Sequence, residues 1–150
     1  VQTCLNTHMS LPHTPSIFEK IIKREISADI VYEDADFIVI ADIKPVQPGH
    51  VLVIPKTPFP DFVSADAVTI AEGSKLCQKI ARGLLKLPKV KGINVITNNG
   101  AAAGQSVFHL HWHVIPRHEG DNFPMWHGSA ESASLQAETC AYLKKILIDE

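Results

Sequence analysis

At 150 residues and 16.5 kDa the chain has the size of one globular domain, long enough to bury a core without disulfides or a structural metal. An apolar fraction of 45% and a charged fraction of 20% exclude a disordered or collagen-like chain, and 14 basic against 16 acidic residues argue against a dedicated nucleic-acid binder. Cys4, Cys77 and Cys140 are an odd, widely spaced set that reads as free thiols of a reducing compartment, buried rather than reactive. No apolar run is long enough to span a membrane, and no charged-then-apolar start marks secretion. The expectation is a cytoplasmic protein, with the nucleus left open.

Residues 1–15 carry Pro12 and Pro15 and no periodicity, and read as a mobile N-terminal arm. Ser16-Ile17-Phe18-Glu19 has capping-box form, and Ile17, Phe18, Ile21 and Ile22 recur at helical spacing. Taken alone, these four apolar side chains are core packing. Ile30–Glu33 and Phe37–Ala41 are β-branched and aromatic runs joined by Asp34-Ala35-Asp36, a hairpin. After a loop over 42–49, residues 50–55 form an unbroken apolar strand that predicts burial on both faces. Ser64 or Asp66 caps a helix predicted to reach about Leu87, with Leu76, Ile80, Leu84 and Leu87 along one face. A fourth strand is expected over 93–97, a glycine-flanked loop over 98–105 and a fifth strand over 106–115. Residues 116–128 read as irregular, and an amphipathic helix is predicted over 130–148. Strands in hairpins with helices grouped apart indicate an α+β domain on a five-stranded antiparallel sheet with two main helices. The domain is placed at 16–128, with a C-terminal segment, 129–150, packed on it or extending it.

The chemistry concentrates in Gly104-Gln105-Ser106-Val107-Phe108-His109-Leu110-His111-Trp112-His113. Three histidines at period two share one face of a strand, and Leu110, Trp112 and Val114 take the other. Three imidazoles on one face are costly to bury without a task. A metal site is one alternative, since histidine is a common ligand. Along an extended strand, however, the outer two Cα atoms lie ~13 Å apart. Gathering all three rings on one ion at ~2.1 Å would need strong convergence. A histidine pair with a distant ligand such as His50 stays open. The other alternative is imidazole as catalyst, attacking phosphorus to form a labile phosphoramidate. Gly100 and Gly104 bracket a loop whose amides suit phosphate, and Gln105 and Ser106 add donors.

These residues carry a resemblance. His109-Leu110-His111-Trp112-His113-Val114-Ile115 matches the His-x-His-x-His-x-x signature, with x apolar, of the histidine triad (HIT) superfamily of nucleotide hydrolases and transferases. Residues 16–23, 31–34, 42–45, 48–56 and 98–106 agree with it in order, Pro48-Gly49-His50-Val51-Leu52-Val53-Ile54-Pro55 most specifically. The first helix favours the nucleotide-binding-protein branch. The resemblance implies a HIT fold, a homodimer with a continuous sheet, and hydrolysis at the α-phosphate of purine nucleotide conjugates, AMP or GMP joined to a leaving group. AMP–amine phosphoramidates are the first choice of substrate. Dinucleoside polyphosphates, and a regulatory module with little turnover, are the alternatives.

By the same resemblance His111 is the nucleophile, and His113 contacts the α-phosphate and assists the leaving group. His109 and His50 support ring orientation. Asn98, Gly104, Gln105 and Ser106 meet the phosphate or leaving group, Asp42 binds the ribose hydroxyls, and Phe18, Ile21 and Ile43 wall a purine pocket. Many relatives hold a structural zinc with Cys-x-x-Cys at the first helix. Here those positions are Ser16 and Glu19, so neither a metal nor another cofactor is expected.

Overall fold

The computed structural model describes residues 13–148. The predicted arm over 1–15, and Cys4 with it, falls outside them except for 13–15, which are irregular.

Helix α1 (Ile17–Ile22) begins where the capping box places it. Ser16 Oγ accepts the Glu19 N–H, and the Glu19 carboxylate accepts the Ser16 N–H, so two donors of the first turn are satisfied reciprocally. The helix stops after six residues, and Arg24 follows in the left-handed region at φ 63°. The five strands are β1 (Ile30–Glu33), β2 (Phe37–Ala41), β3 (Val51–Pro55), β4 (Gly92–Ile96) and β5 (Trp112–Arg117). All neighbours are antiparallel, in the order β1-β2-β3-β5-β4, so β3 and β5 are interior. The expected α+β architecture is present.

The sheet has two differently covered faces. Phe37, Val39, Val51, Val53, Leu110, Trp112 and Val114 turn toward helix α2 (Ala67–Leu84) and bury Cys77 with them. Asp66, rather than Ser64, is the N-cap, accepting the Thr69 N–H at 2.8 Å. Gly73 lets α2 approach: a Cβ there would lie 2.5 Å from Cη2 of Trp112. Ile38, Ile40, Leu52 and Ile54 turn to the other face and pack against Phe18 and Ile21 of α1.

Four elements differ in their bounds from the sequence reading. Helix α2 ends at Leu84, so Leu76, Ile80 and Leu84 pack on the core while Leu87 is half exposed in a turn. Strand β4 is displaced by one residue, and β3 starts at Val51 rather than His50. Strand β5 starts at Trp112, six residues later than predicted, and continues to Arg117. The reason lies upstream of it: the Leu110 N–H donates to the Phe59 carbonyl at 2.7 Å, outside any strand ladder. His109 and His111 therefore stand on an irregular approach to β5, and only His113 lies within it.

Helix α3 (Ala130–Ile148) has the predicted span. Apart from half-buried Cys140, its side chains are exposed, so it extends from the domain rather than packing on it. Among the described residues, no helix is long and apolar enough to cross a membrane.

Candidate active site

Strands β3 and β5 bring the histidines together. Leu52 pairs with His113, and Val53 with Trp112, which sets His50, just before β3, beside the third triad member. The ring centroids of His50 and His113 are 5.2 Å apart, and those of His111 and His113 are 5.1 Å apart.

Hydrogen-bond partners assign each ring's proton. The Val46 N–H, which can only donate, lies 3.1 Å from His50 Nδ1, so that nitrogen accepts and Nε2 carries the hydrogen. His50 Nε2 then donates to His113 Nδ1 at 2.9 Å, leaving the His113 proton on Nε2. His111 Nδ1 lies 2.7 Å from the His109 carbonyl and must donate to it, so the lone pair of His111 is on Nε2. That nitrogen has no protein partner among the described residues. It is not sealed either, because the one sealed side-chain polar atom without a partner there is Thr97 Oγ1.

All four imidazoles are held below the usual histidine range, chiefly because burial penalises the cation. His113 is lowered furthest, to about 4, by burial and then by the neighbouring His111 and His50; Asp42 opposes this. The cluster is neutral at pH 7. A neutral ring with one lone pair is the form that can attack.

Asp42 closes the cluster. Its Oδ1 accepts the Lys44 N–H at 2.8 Å, and its Oδ2 lies 3.4 Å from His50 Nε2 and 3.9 Å from His113 Nδ1. Ligand atoms of Asp42, His50 and His113 lie within 4.8 Å of one another, a spacing that a divalent cation could span. The protonation pattern opposes this. With the Val46 N–H directed at Nδ1, His50 keeps its hydrogen on Nε2 and has no lone pair there for a metal. The zinc position of relatives fits no better. Ser16 and Glu19 are not thiolates, and both already hold hydrogen bonds within the chain.

Beside the histidines lies a cavity of about 360 Å³ lined by Phe18, Ile21, Ile26, Ala28, Asp42, Ile43 and Leu52 among others. Phe18 joins the two, its ring 5.0 Å from that of His111 and edge-on to it. Phe18 and Ile21 thus serve as core and as cavity wall. Ile43, 94% exposed, stands at the lip.

The residues expected from sequence to meet phosphate divide. Gly100 and Gly104 have φ of 85° and 87°, a region that only glycine adopts readily, and they bracket a short 3-10 turn over Ala101–Ala103. A Cβ on Gly104 would come 3.6 Å from Asn98 Nδ2, so Asn98 stands against this loop. Ser106 is exposed and available. Gln105 is placed differently from the expected phosphate donor. It is buried, its Oε1 accepts the Gly100 N–H, and its Nε2 donates to the Pro60 and Val107 carbonyls at 2.7 and 3.1 Å. Its amide braces the loop, because a buried donor takes the nearest carbonyls.

Sequence reasoning missed the Val46 amide, the Pro55 carbonyl on His109 and the Asn99 side chain, whose Oδ1 accepts the Phe62 N–H at 2.8 Å. Backbone partners carry no residue-type signal. Asn99 lies in the 98–105 loop, where its residue type does not set it apart from Asn98.

The sequence profile of the HIT domain matches residues 23–120. The chain belongs to the HIT family. Solved HIT structures agree in fold and sequence. A HIT family protein from Bacillus anthracis superposes with a TM-score of 0.79 at 32% identity, over 89% of this chain and 96% of that one. A hypothetical histidine triad nucleotide-binding protein from Sulfolobus tokodaii is 40% identical, with a TM-score of 0.65, over 79% and 84% of the two chains. A HIT family hydrolase from Clostridium thermocellum is 37% identical, with a TM-score of 0.64, over 77% of this chain and all (100%) of the other. Within the HIT domain the triad thus stands on a buried, neutral cluster beside an apolar cavity.

Proposed function

We propose that this HIT protein hydrolyses purine nucleotide conjugates at the α-phosphate through a nucleotidyl intermediate on His111, with AMP–amine phosphoramidates as its substrate class. The observation that carries the reading is the 2.7 Å bond from His111 Nδ1 to the His109 carbonyl, which leaves Nε2 unprotonated on a ring 5.0 Å from Phe18 of the cavity wall. In this reading the base lies between Phe18, Ile21 and Ile43, and Asp42 accepts the ribose hydroxyls. His111 Nε2 attacks phosphorus and the bond to the amine breaks as His113 Nε2–H gives its proton to the departing nitrogen, a proton that the attacking water returns to His113 in the second step. His113 Nε2–H, Ser106 and the loop amides near Gly104 face the phosphate oxygens as charge develops there. Water then cleaves the phosphorus–nitrogen bond to His111 and releases the nucleoside monophosphate. The descriptions of the Clostridium relative as a hydrolase and of the Sulfolobus relative as nucleotide-binding support it.

The test is turnover of a fluorogenic AMP phosphoramidate beside a diadenosine polyphosphate. Preference for the phosphoramidate, with an acid-labile adduct mapped to His111 after quenching, is expected. Preference for the dinucleotide moves the chain to the other branch, and turnover of neither leaves a binding module.

We also propose a homodimer. Strand β4 is a sheet edge, with Val95 half exposed on it, and an open edge is a template for pairing. Sedimentation at micromolar concentration is expected to give twice the chain mass of 16.5 kDa; a monomer mass refutes it.

A further inference from the structure

His109 is the most enclosed of the triad, 1% exposed, and both of its ring nitrogens have partners. Nε2 lies 2.7 Å from the Pro55 carbonyl, which can only accept, so the hydrogen is on Nε2. Burial keeps the ring neutral, with that single hydrogen. Nδ1 is therefore an acceptor, and Ser16 Oγ, 3.0 Å away, donates to it. The same oxygen accepts the Glu19 N–H at 3.1 Å. One hydroxyl thus caps α1 and holds a triad ring across 93 residues of chain.

The consequence lies one carbonyl further on. His109 precedes β5 and gains no strand pairing of its own. Its side chain is clamped between β3, through Pro55, and α1, through Ser16. Its carbonyl is the acceptor that sets the His111 tautomer.

We propose that Ser16 is a positioning residue for the nucleophile: its hydroxyl, through the His109 ring, fixes the carbonyl that holds the His111 hydrogen on Nδ1 and directs the Nε2 lone pair into the site. Ser16 Oγ hydrogen-bonds the His109 ring, whereas the His111 ring is held by the His109 carbonyl. The inference rests on the reading of His111 as nucleophile for its kinetic part only. Without a donor, His109 Nδ1 is a buried acceptor with no partner, and the ring can regain one only by moving its hydrogen or turning, which pulls on the carbonyl beside it.

Three variants of the full chain separate this link from simple capping. Ser16→Thr keeps both the cap and the donor. Ser16→Asp keeps a capping acceptor but cannot donate when ionised. Ser16→Ala removes both and serves the same readouts should the carboxylate prevent folding. Nitrogen-15 spectra of labelled histidines report which ring nitrogen of His109 and His111 carries hydrogen, and kcat and KM are measured on the AMP phosphoramidate. Expected for Thr are wild-type spectra and kcat within about 3-fold. Expected for Asp and Ala are an altered His109 signature, loss of the single Nδ1–H signature of His111, and a kcat loss of about 10- to 100-fold with little change in KM, the scale of a displaced reacting group. Unchanged His111 signals in both Asp and Ala overturn the link whether or not the enzyme turns over. A KM increase at constant kcat also overturns it, placing Ser16 in pocket shape through α1 instead. If the spectra shift as expected while His111→Ala retains full activity, the link stands and the nucleophile assignment falls.

Discussion

The α2 face and the α1 face of the sheet are covered to different degrees, although the same strands supply both. On the first, an 18-residue helix lies close enough for Gly73 to meet Trp112, and the side chains between them are apolar. On the second, a six-residue helix covers only part of the surface, leaving a cavity, three buried imidazoles and half-buried His113. Strand β5 shows the division within a few residues: Trp112 and Val114 join the α2 core, while His113 lies among polar partners. The closed face supplies stability. The open face holds costly groups in place through hydrogen bonds to their rings.

The largest expected effect breaks the open face's chemistry and leaves its fold. His111→Ala is expected to reduce turnover by at least about 10⁴-fold, as loss of a covalent nucleophile does, with nucleotide affinity and melting temperature nearly unchanged. Single-turnover kinetics and a binding titration check it. A large drop in melting temperature instead would assign the ring to packing.

Asp42→Ala removes the carboxylate at the mouth of the cavity. Charge-assisted hydrogen bonds contribute about 1.5–3 kcal/mol each, so ribonucleotide affinity is expected to fall by roughly 10- to 100-fold, and the preference over deoxyribose to shrink. Equal losses for both sugars would show that Asp42 acts through His50 and His113 rather than on the ribose.

The closed face has its own test. Gly73→Ala places a Cβ 2.5 Å from the Trp112 ring, where neither backbone can yield freely. Overpacking costs about 1–3 kcal/mol and the gain in helix propensity returns about 1. The balance is a net loss of up to about 2 kcal/mol, and because the contact is with a buried ring the upper half of that range is expected in urea unfolding, with activity of the folded protein largely kept. Unchanged stability would show that α2 can shift away from the sheet.

The faintest effect distinguishes the faces by pH. The histidines on the open face have folded pKa values below 6.5, so the unfolded chain binds protons first as pH falls. Stability is therefore expected to fall as pH is lowered through 6.5 and toward the value of about 4 that His113 reaches. On the closed face burial pushes the Cys77 thiol up to about 12, and it is silent in this range. Urea midpoints between pH 7.5 and 4.5 measure the slope, and His113→Gln should flatten it.

Much of this arrangement is local and could be read from the chain. The capping box of α1 and the Asp66 cap depend on residues three apart. The alternation that sends Trp112 and Val114 one way and His113 the other follows from the two-residue repeat of a strand. The bounds of α3 follow from helical spacing, but its exposure does not, since a pattern says which residues share a face and not whether anything covers it.

What the tertiary structure alone decided are the pairings between distant groups. The late start of β5 depends on the Phe59 carbonyl, and Gln105 ties the Gly100 amide to the Pro60 carbonyl because those backbones meet only in the fold. Residue types place imidazoles at 50, 109, 111 and 113. Which nitrogen bears hydrogen is set by Val46 for His50, by Pro55 and Ser16 for His109, by the His109 carbonyl for His111 and by His50 for His113. A tautomer is a property of a pair, and a sequence names only one member of it.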